Sequence, residues 1–231
     1  MSLSGKVVLI TGATGGLGPA VAHAIAARGV RLALVGRDED SVCELARQFA
    51  DARGFGADVT DEAGVADLML RVRERVGEPD ALVHLVGGYA GGKAVHLTEV
   101  SSWEAMLSLN LRSAFLVSRA VLPGMLERGR GKIVTIGSRA AYESGARMAA
   151  YAVSKAALIK LTEALAAEVR ERGIQVNAIA PSVIDTAANR RSMPKADPET
   201  WVKPEEVARA VVFLLENDAV AGEVLKIYGR A

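Results

Sequence analysis

The sequence predicts a single α/β domain: a doubly wound, mostly parallel β-sheet with helices on both faces. Two observations carry this. Short β-branched runs alternate with longer Ala-, Leu- and charge-rich stretches along all 231 residues. The strand runs are apolar without alternation, the mark of strands buried on both faces beneath helices. Right-handed crossovers at this spacing wind such a chain into one sheet. Half the residues are hydrophobic, ample for one core.

The first strand is expected at 6–10, followed by a helix at 17–28 whose Pro19 suits a first turn, where a missing N–H costs nothing. Between them, 7–27 lacks Asp, Glu, Lys and Arg and is long enough for a membrane helix. Thr11, Gly12, Thr14, Gly15, Gly16 and Gly18 interrupt it, so it reads as strand, loop and helix and no membrane segment is expected. Strands at 31–35, 54–57 and 81–86 alternate with helices at 40–50 and 62–76. The long helical stretch 101–126 reads as two helices broken near Asn110. Strands at 132–136, 175–179 and 224–228 and helices at 149–172 and 204–217 complete the pattern. No internal repeat or linker divides the chain. The least regular stretch, 182–203, carries Pro194 and Pro198 and reads as a lid over a pocket.

Composition excludes several classes. With 28 basic against 27 acidic side chains, the formal charge of +1 offers no electrostatic footprint for nucleic acid. Ten aromatics are too few for a base-stacking surface, whereas 23 glycines suit tight turns and close approach to a ligand. Cys43 alone cannot form an internal disulfide, and with no signal peptide a reducing cytoplasm is expected. His23, His84 and His96 make no metal-ligand spacing with one another or with Cys43, so no metal is expected.

The segment Thr11-Gly12-Ala13-Thr14-Gly15-Gly16-Leu17-Gly18 joins the first strand to the first helix. Its glycines let backbone approach a pyrophosphate, whose charge suits the exposed N–H groups of a helix N-terminus. Farther on, Tyr151 and Lys155 lie one turn apart on a long helix. A tyrosine with a pKa of about 10 is a poor base near neutrality. A neighbouring ammonium favours the phenolate and lets the side chain exchange its proton. Ser138 follows a strand, thirteen positions before Tyr151.

These motifs together resemble the short-chain dehydrogenase/reductase family, whose Thr-Gly-x-x-x-Gly-x-Gly and Tyr-x-x-x-Lys patterns are met in full. The resemblance covers essentially the whole chain and implies a Rossmann fold. It implies hydride transfer between a nicotinamide cofactor and a carbonyl or alcohol of a small substrate. Ser138 would position the oxygen and Tyr151 would serve as general acid/base. Lys155 would lower the tyrosine pKa and hold the nicotinamide ribose, and Asn110 would kink its helix and help a water chain reach Lys155. The cofactor would lie along Gly12, Thr14, Gly15, Gly16, Leu17, Gly18 and Gly87, with adenine at Asp58 and Val59. The carboxamide would meet Pro181, Ile184 and Thr186. Arg37 stands where NAD-preferring members carry an acidic residue, which favours NADP(H) over NAD(H). The family also implies a homodimer or homotetramer through the helices holding Asn110 and Tyr151.

Two departures matter. The family's Pro-Gly-x-x-x-Thr reads Pro181-Ser182-Val183-Ile184-Asp185-Thr186 here, and its Asn-Asn-Ala-Gly reads His84-Leu85-Val86-Gly87. On an apolar strand, His84 reads as a satisfied core histidine. Segments 87–93 and 185–197 are similar to dihydropteridine reductase of the same superfamily, so reduction of a quinonoid pterin is the alternative reaction. Ser138, Arg37 and the ordinary glycine motif weigh against it. A non-catalytic nucleotide sensor is the alternative of another class; it would be free to lose Ser138, Tyr151 or Lys155, and all three are present.

Overall fold

A computed structural model describes residues 2–230. Its strands are β1 (Val7–Thr11), β2 (Arg31–Gly36), β3 (Ala52–Gly56), β4 (Ala81–His84), β5 (Gly131–Ile136), β6 (Ile174–Pro181) and β7 (Val224–Ile227). They form one seven-stranded sheet in the order β3-β2-β1-β4-β5-β6-β7, every pair parallel. The order reverses between β1 and β4, and ligands of doubly wound sheets bind outside the carboxyl ends of the strands at such a switch point.

The helices are α1 (Gly18–Ala26), α2 (Glu39–Ala46), α3 (Glu62–Arg75), α4 (Val100–Leu107), α5 (Ser113–Arg128), α6 (Ala149–Val169), α7 (Ala187–Ser192) and α8 (Pro204–Glu216). Successive strand side chains point to opposite faces. Val8, Ile10, Leu32 and Leu34 therefore pack with Val21, Ile25, Val42 and Val211 of α1, α2 and α8. Val7, Leu9, Ala33 and Val35 pack with Leu68, Val72, Val117 and Val121 of α3 and α5 on the other face. Both faces being covered explains why the strands read as continuous apolar runs.

Most element ends shift by a residue or more, α2 stops at Ala46 rather than 50, and three strand ends shift by two. β3 begins at Ala52 rather than 54, because pairing with β2 (Leu32 with Ala52, Ala33 with Arg53) recruits weak strand formers. β4 ends at His84 rather than 86, although the Leu85 N–H still donates to the Thr11 carbonyl at 3.0 Å. β6 runs on to Pro181, which pairs with Ile227 at the strand end. The stretch 182–203 is more regular than its composition suggests. It contains α7 and a 3₁₀ turn at Pro198–Thr200. A parallel bridge between Ile184 and Val202 closes its base.

The helical stretch across Asn110 is interrupted by a π-helical turn, Ser108–Arg112. Among the described residues, Val100–Arg128 is the one helical run long and apolar enough to cross a membrane. Here Ala114, Leu116, Val117, Val121 and Met125 from that run are buried.

His84, fully buried at the end of β4, ties this turn to the sheet. Its Nδ1 lies 2.8 Å from Thr11 Oγ1 and its Nε2 lies 3.1 Å from Ser113 Oγ. Ser113 has one hydroxyl proton and donates it to the Leu109 carbonyl at 2.6 Å. It must therefore accept from His84, so Nε2 carries the imidazole proton and Nδ1 accepts from Thr11. Burial, with the nearby Lys155 charge adding, pushes the His84 pKa down to about 3.

A folded-state pKa below the unfolded value of about 6.5 makes the neutral ring a stabilising group above that pH. The contribution is lost as pH falls from about 6.5 toward 3, by at most about 1.4 kcal/mol per pH unit. Urea unfolding between pH 7 and pH 4 should therefore show a steeper loss for the native chain than for His84→Asn. Parallel slopes would contradict a buried neutral histidine.

Candidate active site

The glycine loop leaves β1 at the switch point. Gly12 has φ of +74°, and a Cβ there would lie 2.9 Å from the Val86 backbone nitrogen. A Cβ on Gly18 would fall 1.9 Å from the Ala13 carbonyl oxygen. Neither position admits a side chain. The loop is closed by Gly15 N–H to Gly12 O and Gly18 N–H to Gly15 O, both 3.0 Å. At the Leu17 N-cap of α1 no side chain caps the helix. Gly18 N–H is spent on Gly15 O and Pro19 has none, so the Ala20 N–H and the helix dipole are what this end offers an anion such as a pyrophosphate. Thr14 and Gly16 lie on the same rim, and a Cβ on Gly16 would strike Thr186 Cγ2 at 2.8 Å. Thr186 is thereby packed onto the glycine loop from the far end of the chain. The loop geometry fits a dinucleotide.

The carboxyl ends of β2 and β3 form the adjoining corner. Arg37 is exposed just past Gly36, and its charge is felt at Asp58. Asp58 Oδ1 accepts from Thr60 N–H at 2.8 Å and from Thr60 Oγ1 at 2.7 Å, and these bonds hold its carboxyl below the usual range. Val59 beside it is buried. Asp38 Oδ1 is committed to Ser41 N–H at 2.9 Å as the N-cap of α2.

Asn110, Ser138, Tyr151 and Lys155 converge beyond β4 and β5. Ser138, at the end of the β5 turn, accepts from the Ala140 N–H at 3.2 Å, and its hydroxyl lies near enough to the Tyr151 phenol to favour the charged form. Lys155 is buried, and its Nζ donates to the Ile136 carbonyl at 2.7 Å. Burial pushes that amine down to about 8. Gly87 faces it: a Cβ there would lie 2.8 Å from Lys155 Nζ and 2.9 Å from Asn110 Oδ1.

The expected lowering of the Tyr151 pKa by Lys155 is reversed. Burial raises it, the nearby Ser138 hydroxyl opposes, and Tyr89 raises it further. The lysine amine is turned to Ile136, so the phenol is governed by its own desolvation. Asn110 lies in the π-turn that breaks the helix where expected. Its amide is a clamp, accepting from Gly88 N–H at 2.9 Å and donating to Gly88 O at 3.0 Å and Ser154 Oγ at 2.9 Å. Ser154 in turn donates to Tyr151 O at 2.7 Å. The π-turn thus fixes both the loop after β4 and the first turn of α6.

Pro181 ends β6, and Ile184 opens the closed stretch beyond it. Asn189, which the sequence did not single out, donates its side chain to Ile184 O at 2.8 Å and its backbone N–H to Thr186 Oγ1 at 3.2 Å. Asp185 meets Arg190 in a bidentate pair at 2.6 and 2.8 Å and Lys203 at 3.0 Å. These cations hold its carboxyl well below the usual range. Among the described residues no group of three or more His, Cys, Asp or Glu side chains could hold a metal ion.

Comparison with known proteins agrees with this geometry. A family model described as short chain dehydrogenase matches residues 6–197. The 2-(S)-hydroxypropyl-CoM dehydrogenase 3 of Xanthobacter autotrophicus is 34% identical over 98% of this chain and 96% of its own length. The crystal structure of a putative gluconate dehydrogenase from Agrobacterium tumefaciens superposes with a TM-score of 0.93 at 32% identity, covering 99% of this chain and 96% of that one. A solved structure of ElxO with NADP bound gives a TM-score of 0.90 at 25% identity, covering 97% and 98%. Sheet order, glycine loop and sequence likeness lead to one assignment: the chain is an oxidoreductase belonging to the short-chain dehydrogenase/reductase family.

Proposed function

We propose that this chain is a carbonyl reductase or alcohol dehydrogenase that favours NADP(H), with Tyr151 as its general acid/base. The observation carrying this reading is the convergence of Ser138 and Tyr151 beside Lys155, which is buried one helical turn away. A bound nicotinamide cofactor supplies hydride to the carbonyl carbon, or accepts it from the alcohol. Ser138 holds the substrate oxygen beside the phenol. With an ordinary pKa of about 10, a tyrosine is protonated at neutral pH and so can donate in the reductive direction. Lys155 has donors left beyond its bond to Ile136, and these suit a ribose hydroxyl.

Arg37 supports NADP(H). It is exposed at the corner where an adenosine ribose would lie, and a guanidinium suits a 2′-phosphate. Asp38, the nearest acidic alternative, is engaged in capping α2. The segment 182–203 is read as the substrate lid. Trp103, Phe115 and Val153, exposed on α4, α5 and α6, support a homodimer or homotetramer. The lone Cys43 accords with a reducing cytoplasm.

Turnover should be screened with NADPH and NADH against ketones, 3-oxoacyl thioesters and a quinonoid dihydropterin. Tyr151→Phe should reduce turnover by at least about a hundredfold while cofactor binding is largely kept; near-full activity would overturn the mechanism. Arg37→Ala should weaken NADPH binding by about 10–100-fold and leave NADH nearly unchanged. Equal losses would defeat the NADP assignment. Light scattering should give two or four copies per particle, and a monomer would refute the oligomer.

A further inference from the structure

The loop after β4 is built around one aromatic ring. Tyr89 lies edge-to-face on Tyr151, with ring centroids 5.1 Å apart and planes at 75°. It remains 61% exposed, so much of the ring is open to a ligand. Four glycines frame it, and each has a reason to lack a side chain. A Cβ on Gly87 would meet the Lys155 amine, and one on Gly88 would fall 2.7 Å from Leu109 Cδ2. A Cβ on Gly91 would lie 2.4 Å from Tyr89 Oη itself, and Gly92 has φ of +102°.

The loop is fastened at both ends. Asn110 clamps both backbone groups of Gly88, immediately before the ring. After it, the Gly92 N–H donates to the Arg147 carbonyl at 2.7 Å. Arg147 is the one non-glycine among the described residues with positive φ, at 63°. Such a conformation costs about 1–3 kcal/mol and persists where the surroundings impose it. A loop pinned on both sides and strained at its anchor holds the ring in a defined place.

We infer that Tyr89 is a specificity-determining residue, and that it selects carbonyl substrates conjugated to a flat ring over saturated ones of equal size. This rests on the proposed carbonyl chemistry at Tyr151. A carbonyl oxygen held between Ser138 and Tyr151 brings one flanking substituent alongside Tyr89. A planar π-face there gains an aromatic pair beyond simple burial, and a cyclohexyl group of similar bulk does not.

The test compares acetophenone with cyclohexyl methyl ketone, each with NADPH and the full-length chain. In the native enzyme kcat/KM should favour the phenyl ketone. Tyr89→Leu should lower that preference by about twofold to tenfold, and Tyr89→Phe should retain it. Equal losses for both ketones in Tyr89→Leu would make Tyr89 a packing residue and overturn the inference. So would reduction of the cyclohexyl ketone with no preference for phenyl in the native enzyme. Full turnover by Tyr151→Phe, or none with any carbonyl, overturns instead the parent reading and takes this inference with it. A folded Tyr89→Leu variant is verified by NADPH binding equal to the native chain.

Discussion

The site depends on an amine buried against a glycine. Lys155 Nζ lies under the sheet edge, bonded to Ile136 O, with Gly87 across from it and Asn110 Oδ1 lining the same small space. Burying an ammonium is unfavourable unless donors are met, and the pKa near 8 records that tension. Neighbouring features follow from making room for it. Gly87 can carry no side chain, β4 leaves the sheet at His84, and the π-turn brings Asn110 to the loop instead of to solvent. The same clamp reaches Ser154 and through it the carbonyl of Tyr151, so lysine and tyrosine are registered by one network.

The glycine loop is governed by a different constraint, the distance between backbones. Gly18 lies against Ala13, Gly12 against Val86, and Gly16 against Thr186. Each contact joins segments that the cofactor must bridge: the helix to its own loop, β1 to β4, and the first crossover to the last. Substituting any of them would push apart the surfaces whose closeness makes the cleft, which is why composition alone already hinted at a ligand.

Much of this was legible in the sequence because it is written in local pattern. Strand and helix alternation gave the layers, and the two motifs gave the family, since both are contiguous and chemically unusual. Three things were not legible. The β3 boundary is set by its partner strand, so Ala52-Arg53-Gly54 carry no strand signal of their own. The order within 182–203 comes from Asn189, Arg190 and Lys203 acting on Ile184, Thr186 and Asp185, which are ordinary surface residues until the chain folds back. The raised tyrosine pKa inverts the sequence expectation, because spacing reveals proximity but not desolvation or the direction in which an ammonium points.

Two segments border the cleft at the carboxyl ends of the strands, 88–92 and 185–203. They are secured by different physics. The 88–92 loop is held by backbone hydrogen bonds, an amide clamp and ring packing, none of which involves a formal charge. The 185–203 segment adds to its backbone bridge and Asn189 bonds an ion cluster at Asp185 whose cations are substantially solvent-exposed. Exposed pairs contribute little and are screened by salt, whereas neutral clamps are not. Salt should therefore weaken the ionic part of the second tether while leaving the clamp of the first unchanged.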